Sequence, residues 1–438
     1  MNPRHGFRRS HRHMLLMSAV GAAATAVVQT APTPAVGAGF YIKEQGVTGL
    51  GRAFAGESAM AEDASTIFFN PAGMTYLDRA EVQANGHLLV PQTSMTDTGT
   101  AQPPGWPVGG DGGNPYEPSL VPNLYGAIPV TESGDIWVGI GLSAPFGLSN
   151  EYDEDWFGRY DSIETSLKTI NVAPTVAWRV NDYFAIGAGL DVQHAEAKLT
   201  QAAATALPGP VPGPDALVTV EGETTSIGFN VGAIVEPIAG TRIGVHYRSA
   251  MSHDLDGTVT VDSAAVTQDS DGSAGLDLPD IVAVGIAHEA TDRLTLMAEY
   301  NYYGWSRFDE IRVEADRAAL SRVTPQNYRD SYSISIGAQY DATERLTVRG
   351  GAQYDTTPTR DGFRSSRTPD GDRTWLSAGL SFDVTEDLTT DLAYTYIDIS
   401  DEDVDLQRSL LDGAAASNIQ ASIDSDVHIV AAGLRYRF

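Results

Sequence analysis

After residue 80 the chain alternates apolar and polar positions with a period of two almost everywhere, and a helical period of 3.6 rarely competes. Residues 81–88 alternate without a break. Phe184, Ile186, Ala188, Leu190 and Val192 share one face of a strand, opposite Ala185, Gly187, Gly189 and Asp191. Val430, Ala432, Leu434, Tyr436 and Phe438 share another, opposite Gly433, Arg435 and Arg437. An apolar face backed by small or charged residues is the pattern of a strand with lipid outside and a polar lumen inside. The alternation predicts fourteen strands, from 80–93 at the start to 388–400 and 422–438 at the end. Short polar connections such as Asn181-Asp182 and Thr291-Asp292 alternate strictly with long ones, among them 257–277 and 401–421. Short periplasmic turns, longer external loops and an even strand number are features of outer-membrane barrels. The predicted fold is therefore all-β, a 14-stranded antiparallel transmembrane β-barrel.

The beginning of the chain follows another pattern. Residues 1–13 carry Arg4, Arg8, Arg9 and Arg12 and no acid, residues 14–28 are almost wholly apolar, and mostly small residues follow to Ala38. That order predicts a signal peptide over 1–37, cleaved after Gly37 or Ala38. Residues 38–79 are rich in glycine, with Gly46, Gly49, Gly51 and Gly56 breaking any long helix. A short helix is expected within 53–64, and Asn70-Pro71 favours a turn. About 42 residues are too few to fold alone, so this segment is expected inside the lumen of the barrel that spans 80–438.

Composition narrows the function. The 438 residues hold 28 Lys+Arg against 57 Asp+Glu, a formal charge of −29, which becomes −33 without residues 1–37. Affinity for a phosphate backbone comes from Lys and Arg, so no nucleic-acid partner is expected. Cysteine is absent, which excludes disulfides, thiolate metal sites and a cysteine nucleophile. His87, His194, His246, His253, His288 and His428 form no recognised ligand spacing, and no Ser/His/acid trio stands out. The reading is a non-enzyme without cofactor or metal. The pair His253-Asp254 and the acid runs 151–155, 269–271 and 398–405 are expected to be solvated wall and loop charge.

The stretch Ala38-Gly-Phe40, Gly49-Leu-Gly-Arg-Ala53, Gly56, Asp63-Ala-Ser65 and Asn70-Pro71-Ala72 resembles the hatch of the FadL-type long-chain fatty acid and hydrocarbon transporters. Further matches follow in order: Ser143-Ala-Pro-Phe-Gly147, Thr241-Arg-Ile-Gly-Val-His-Tyr-Arg-Ser249, Leu278-Pro279 and 369–379. The resemblance covers about the whole of 38–438. It implies a barrel in the outer membrane of a Gram-negative-type cell, plugged by an N-terminal hatch. A hydrophobic small molecule, fatty acid or hydrocarbon, is taken up passively and leaves sideways into outer-membrane lipid at a kinked third strand. The terminal Phe438 resembles the signal read by the outer-membrane assembly machinery, a further partner.

The resemblance also assigns residues. Phe40, Arg329 and Lys198 are expected at the ligand pocket, although Glu196 stands where the fatty-acid binders carry an arginine. Asn70, Pro71, Ala72, Phe54 and Phe68 are expected to hold or gate the hatch, with Asn70 near Asp370, Asp372 and Arg373. Gly139, Gly141 and Pro145 are expected to weaken the third strand at the exit, with Phe54 and Phe68 lining the gap. Aromatic residues in the loops, including Trp156, Phe157 and Tyr160, are expected to form an external apolar groove. A diffusive porin and a structural or adhesive barrel are the competing readings.

Overall fold

A computed structural model of the chain describes residues 39–207 and 211–438. The expected signal segment and its cleavage site lie outside the described residues. Fourteen antiparallel strands follow one another: β1 (Glu81–Asp97), β2 (Ser119–Pro129), β3 (Ile136–Ser143, resuming as Gly147–Glu151), β4 (Glu164–Asn181), β5 (Phe184–Ala203), β6 (Ala216–Ile238) and β7 (Thr241–Arg248, then Met251–Asp262). They continue as β8 (Thr267–Leu278, then Ile281–Thr291), β9 (Leu294–Tyr303, then Glu310–Ala315), β10 (Arg322–Pro325, then Ser331–Asp341), β11 (Leu346–Asp355), β12 (Arg373–Asp383), β13 (Leu388–Leu410) and β14 (Ala415–Arg437). Each pairs with its neighbour in sequence, and β1 pairs with β14 from Glu81↔Arg437 to Asp97↔Ala421, which closes the barrel. Closure removes the free edges that would otherwise expose unpaired backbone to lipid.

The period-two pattern sorts the side chains as expected. Leu190, Val430 and Leu434 are exposed on the outer wall, whereas Gln83, His87, Asp191 and Gln193 are buried in the lumen. Tyr300, Tyr340, Tyr354 and Tyr394 are exposed outside, where interfacial aromatics belong. Trp305, also an aromatic residue near a strand end, is instead fully buried. Two long connections are also shorter than expected. β13 and β14 run on through most of 401–421 as one tall hairpin, and β7 and β8 do the same through 257–277. The lipid-type alternation stops at the membrane edge, but the hydrogen-bonded ladder continues into water, where either face tolerates Asp and Ser.

The N-terminal segment lies inside. It forms α1 (Val47–Leu50), α2 (Glu57–Met60), α3 (Thr66–Phe69) and a tight 3-10 turn over Pro71–Tyr76. The expected helix within 53–64 shrinks to α2, because Ala53, Phe54 and Ala61 all adopt positive φ. Such backbone costs energy and persists where the surroundings fix it. Here the surroundings are the lumen wall: α1 packs on β12 and β13, α2 on β7 and β8, and the 3-10 turn on β4 to β6.

Glycines of the wall make that approach possible. A Cβ on Gly232 would lie 2.0 Å from Asn70 Oδ1, one on Gly187 2.5 Å from Ala72 N, and one on Gly351 2.1 Å from Arg52 O. Part of the high glycine content is therefore a seat for the segment. Ion pairs add to it: Arg52 meets Glu57 at 2.7 Å and Glu62 at 3.1 Å, and Glu62 also meets Arg349 of β11.

Candidate functional site

The wall is broken in β3. Up to Ser143 the strand is laddered to β2, from Pro129↔Trp137 to Leu124↔Leu142. It resumes at Gly147 paired to β4 alone, so Ser119–Asn123 of β2, laddered to β1 on one side, have no strand on the other. Pro145 sits at the break and has no N–H to donate. Unsatisfied backbone at membrane depth is tolerated only where protein covers it, and the N-terminal segment supplies the cover. Ile42 N donates to Pro145 O at 2.8 Å and Gly147 N to Phe40 O at 3.0 Å. Gln45 Nε2 donates to Ala144 O at 2.9 Å, and Tyr125 OH and Asn123 Nδ2 donate to the carbonyls of Gln45 and Glu44. Tyr41 and Phe146 face each other as a bridge pair. Residues 40–45 thus patch the broken strand.

Behind the patch is an aromatic cluster. Phe40 packs edge-on against Trp305 (4.6 Å between ring centroids) and Phe308 (5.2 Å), and Tyr41 meets Phe146 and Tyr303. Phe40 also lines a pocket against the inner faces of β4 to β9. Its lining is mostly apolar, with Leu148, Leu167, Leu199, Leu255, Leu276 and Ile311 prominent. Among the described residues one charged side chain lines it, Arg367 from the loop between β11 and β12. Arg367 is buried, and its hydrogen bonds go to neutral acceptors, Gln201 Oε1 at 2.9 Å and several at 3.3–3.5 Å. It makes no ion pair among the described residues. The nearby Asp161 is already held by Arg408 and by the Ser365 and Ser366 hydroxyls. Burial pulls the Arg367 guanidinium down to about 10, so at neutral pH it is an unpaired buried cation facing an apolar cavity.

A family model described as "Outer membrane protein transport protein (OMPP1/FadL/TodX)" matches residues 27–438. The chain belongs to this FadL/TodX family. It is 31% identical over 384 residues to a 47 kDa outer membrane protein of Pasteurella multocida, covering 82% of this chain and 87% of that one. The long-chain fatty acid transport protein of Escherichia coli strain K12 is 26% identical over 402 residues, covering 83% and 89%. In fold, a crystal structure of a Pseudomonas aeruginosa FadL homologue superposes with a TM-score of 0.84 at 24% identity, covering 92% of this chain and 100% of that one. The Ralstonia pickettii toluene transporter TbuX superposes at 0.66 with 20% identity, covering 90% and 98%. The protein is accordingly an outer-membrane β-barrel transporter, and its family is made up of transporters of fatty acids and hydrocarbons.

Within this family fold, several expected site residues take other places. Phe40 is at the pocket. Lys198 is not: it lies on the outer face of β5, bridged to Glu164 at 2.6 Å, because even-numbered positions in that part of the strand point outward. Glu196 points the same way, so the apparent loss of a pocket arginine there has no bearing on the lumen. Arg329 is exposed and donates to Thr357 O, outside the cavity. The pocket cation is Arg367, which sequence reading missed because a lone arginine in a polar loop carries no pattern.

Asn70 does not meet Asp370, Asp372 or Arg373. It caps the Pro71–Ala72 turn through Ala72 N, and its amide donates to Ser58 O (2.7 Å) and Ala233 O (3.1 Å), on the far side of the lumen. Asp370 instead accepts from Gly39 N at 2.9 Å and pairs with Arg373, anchoring the start of the segment. Asp372 accepts from Thr357 N and Tyr354 OH.

Gly139 and Gly141 lie inside the β2–β3 ladder, not at the gap. Their missing side chains make room for Ile67 and Met74, 2.6–3.1 Å from where a Cβ would be. Phe54 packs on Phe69 and Trp375, and Phe68 under the Arg248 guanidinium, so neither lines the β3 opening. The loop aromatics are also inward: Tyr152 stacks on Trp156 at 3.9 Å, and with Phe157 they build a small loop core, not an open groove. His253 is buried on Gln193 while Asp254 faces out, so the two cannot share an ion. His194, Glu196 and Glu223 bring ligand atoms within 4.8 Å of one another on the outer wall.

Proposed function

We propose that this transporter takes up long-chain fatty acids passively, binding the carboxylate at Arg367 and the chain in the apolar pocket, and releases them through the β3 break into the bilayer. In this reading residues 1–37 are the export signal, residues 38–79 are the plug, and 80–438 are the conducting barrel. The observation that carries it is a buried arginine without a carboxylate partner at the mouth of an otherwise apolar cavity. A buried cation is costly unless paired, and a ligand carboxylate completes the pair.

Release follows from the contacts of Phe40. A chain filling the pocket competes with the Phe40 ring for the same apolar volume. Displacing Phe40 loosens Gly147 N–Phe40 O and then Ile42 N–Pro145 O, two of the bonds that seal the break. The pocket and the lipid are then joined without water between them, so no energy source is needed.

Two experiments test the reading. A charge-assisted hydrogen bond contributes about 1.5–3 kcal/mol, so Arg367→Leu is expected to weaken a long-chain fatty acid roughly 10- to 100-fold and leave a matched alkylbenzene unchanged. Equal affinities for both ligands in wild type and variant transfer the reading to neutral hydrocarbons. For the exit, Tyr41 and Phe146 form a non-hydrogen-bonded bridge pair, a spacing close enough for a disulfide. A Y41C/F146C bond should stop uptake and reduction should restore it; undiminished uptake in the oxidised protein rejects the β3 exit.

A further inference from the structure

The barrel has a second interruption, between β6 and β7. The lower ladder ends at Arg248↔Asn230, with one more bond from Ser249 N to Phe229 O, and the upper ladder begins at Asp256↔Glu223. Between them, Thr224–Gly228 and Met251–Leu255 have no main-chain pairing to each other, because β7 uses one residue more than β6 to cover the span. Side chains hold the seam instead. Ser226 Oγ donates to Ser252 O at 2.9 Å, and His253 passes behind β6 to reach Gln193 of β5 at 2.9 Å. Met251 packs on the bare Cα of Gly228, where a Cβ would lie 3.0 Å from its Cγ.

The position of the seam gives it a use. Leu255, within the unpaired stretch, and Gly222, just beyond it, both line the ligand pocket. Gly222, Ala197 and Ser166 also line a depression on the outside of the barrel. At Ser166, Ala197 and Gly222 cavity and exterior are therefore separated only by the backbone of the wall and small side chains. On the outer face, Val172, Val192 and Ile227 form an exposed apolar row across β4, β5 and β6, with Ile227 73% exposed. Two rows higher, Lys168, Glu196, Glu223 and Asp256 form a charged row across β4 to β7. The polar–apolar boundary of the outer leaflet falls between these rows, and the seam straddles it. The break between β8 and β9 is different: the inserted turn Trp305–Arg307 folds into it, Gly304 N closes it on Asp280 O, and its outer flank is polar.

We propose that the β6–β7 seam is a second lateral port, through which a carboxylate amphiphile dissolved in the outer leaflet enters the pocket, carboxylate level with the charged row and chain level with Ile227. The proposal rests on the reading of the pocket as the ligand site. Met251, an unbranched and adaptable side chain, is the door, and the two serines are its latch.

The chain has no cysteine of its own, which makes a clean test possible. The protein carrying the oxidised Y41C/F146C pair, with Thr225→Cys and Asp254→Cys added on the two sides of the seam, is placed in lipid vesicles containing doxyl-labelled stearate. Capture is followed as the immobilised electron-spin signal, before and after joining the seam cysteines with a short bis-maleimide. Capture from the bilayer is expected to continue with the β3 break locked and to slow at least tenfold once the seam is joined. Single-cysteine controls given the same reagent should capture at the original rate. Unchanged capture after joining overturns the port, as does an equal slowing in the single-cysteine controls or full loss of capture from the Y41C/F146C bond alone. Binding of the same probe from detergent, with and without Arg367→Leu, reports on the pocket alone: an unchanged affinity there faults the pocket reading, whereas normal detergent binding with an unaffected seam faults only the port.

Discussion

Residues 46–77 and residues 39–45 are neighbours in the same lumen and are fastened to it by different means. The longer part is held by side chains and shape. Arg52 joins Glu57 and Glu62, Ser58 donates to Glu299 of β9, Ala64 N and Ser65 N donate to Glu81 and Gln83 of β1, and Asn70-Pro71 sits on Gly187 and Gly232. The shorter part is held largely through its backbone, to a strand that is itself broken, with Lys43 on Gln353 and Gly39 on Asp370 at its flanks. It also carries Glu44, fully buried with no hydrogen bond to either carboxylate oxygen among the described residues. In the proposed plug, residues 46–77 are the part that stays in place and residues 39–45 the part that moves. Gating then needs a few bonds to yield instead of the whole segment.

Removing both parts of the segment has the largest expected effect. Deleting residues 39–77 should turn a nearly non-conducting barrel into a conducting one in planar bilayers, because it empties the lumen. A large conductance in the intact protein would instead support the open-porin reading.

Within the anchor, Arg52→Met leaves Glu57 without its ion pair in a buried site and deprives Glu62 of one of two. Breaking a buried pair costs about 3–5 kcal/mol, and frequent channel openings are expected while the barrel keeps its heat-resistant migration. Gly232→Val drives a side chain into Asn70 and should act in the same direction. If both variants remain as silent as wild type, the anchor is elsewhere.

The tip gives the smallest and most specific signal. Burial pushes the Glu44 carboxyl up to about 7. The folded tip therefore binds a proton more readily than the free chain, and its seal is strongest below the ordinary carboxylate range and weakens as pH rises toward 7. Brief openings should be more frequent at pH 8 than at pH 5, and Glu44→Gln should remove the difference. A pH dependence that survives the substitution assigns it to another group.

The sequence alone determined the barrel. The fourteen alternating segments, the even number and the closed antiparallel order are local and repeated properties, since lipid outside and a polar lumen inside dictate every second residue. It also identified residues 38–79 as a segment needing a host; that Gly139, Gly141 and Pro145 weaken β3 was an expectation from the family resemblance. Phe40 was placed at the pocket through the family resemblance. Only the tertiary structure decided which residues meet across the lumen. Asn70 and Asp370 look equally suited to each other in sequence, yet the fold sets them on opposite walls. Gly139 and Gly141 read as strand weaknesses and prove to be seats for Ile67 and Met74. Lys198 and Arg329 read as pocket cations, but strand parity turns one outward and loop geometry leaves the other in solvent, while Arg367, without any motif, reaches the cavity. The physical reason is the same each time. Alternation along a strand is fixed by the two solvents on its faces, but contact across a barrel depends on the register and tilt of every strand between the partners, which no single stretch of sequence encodes.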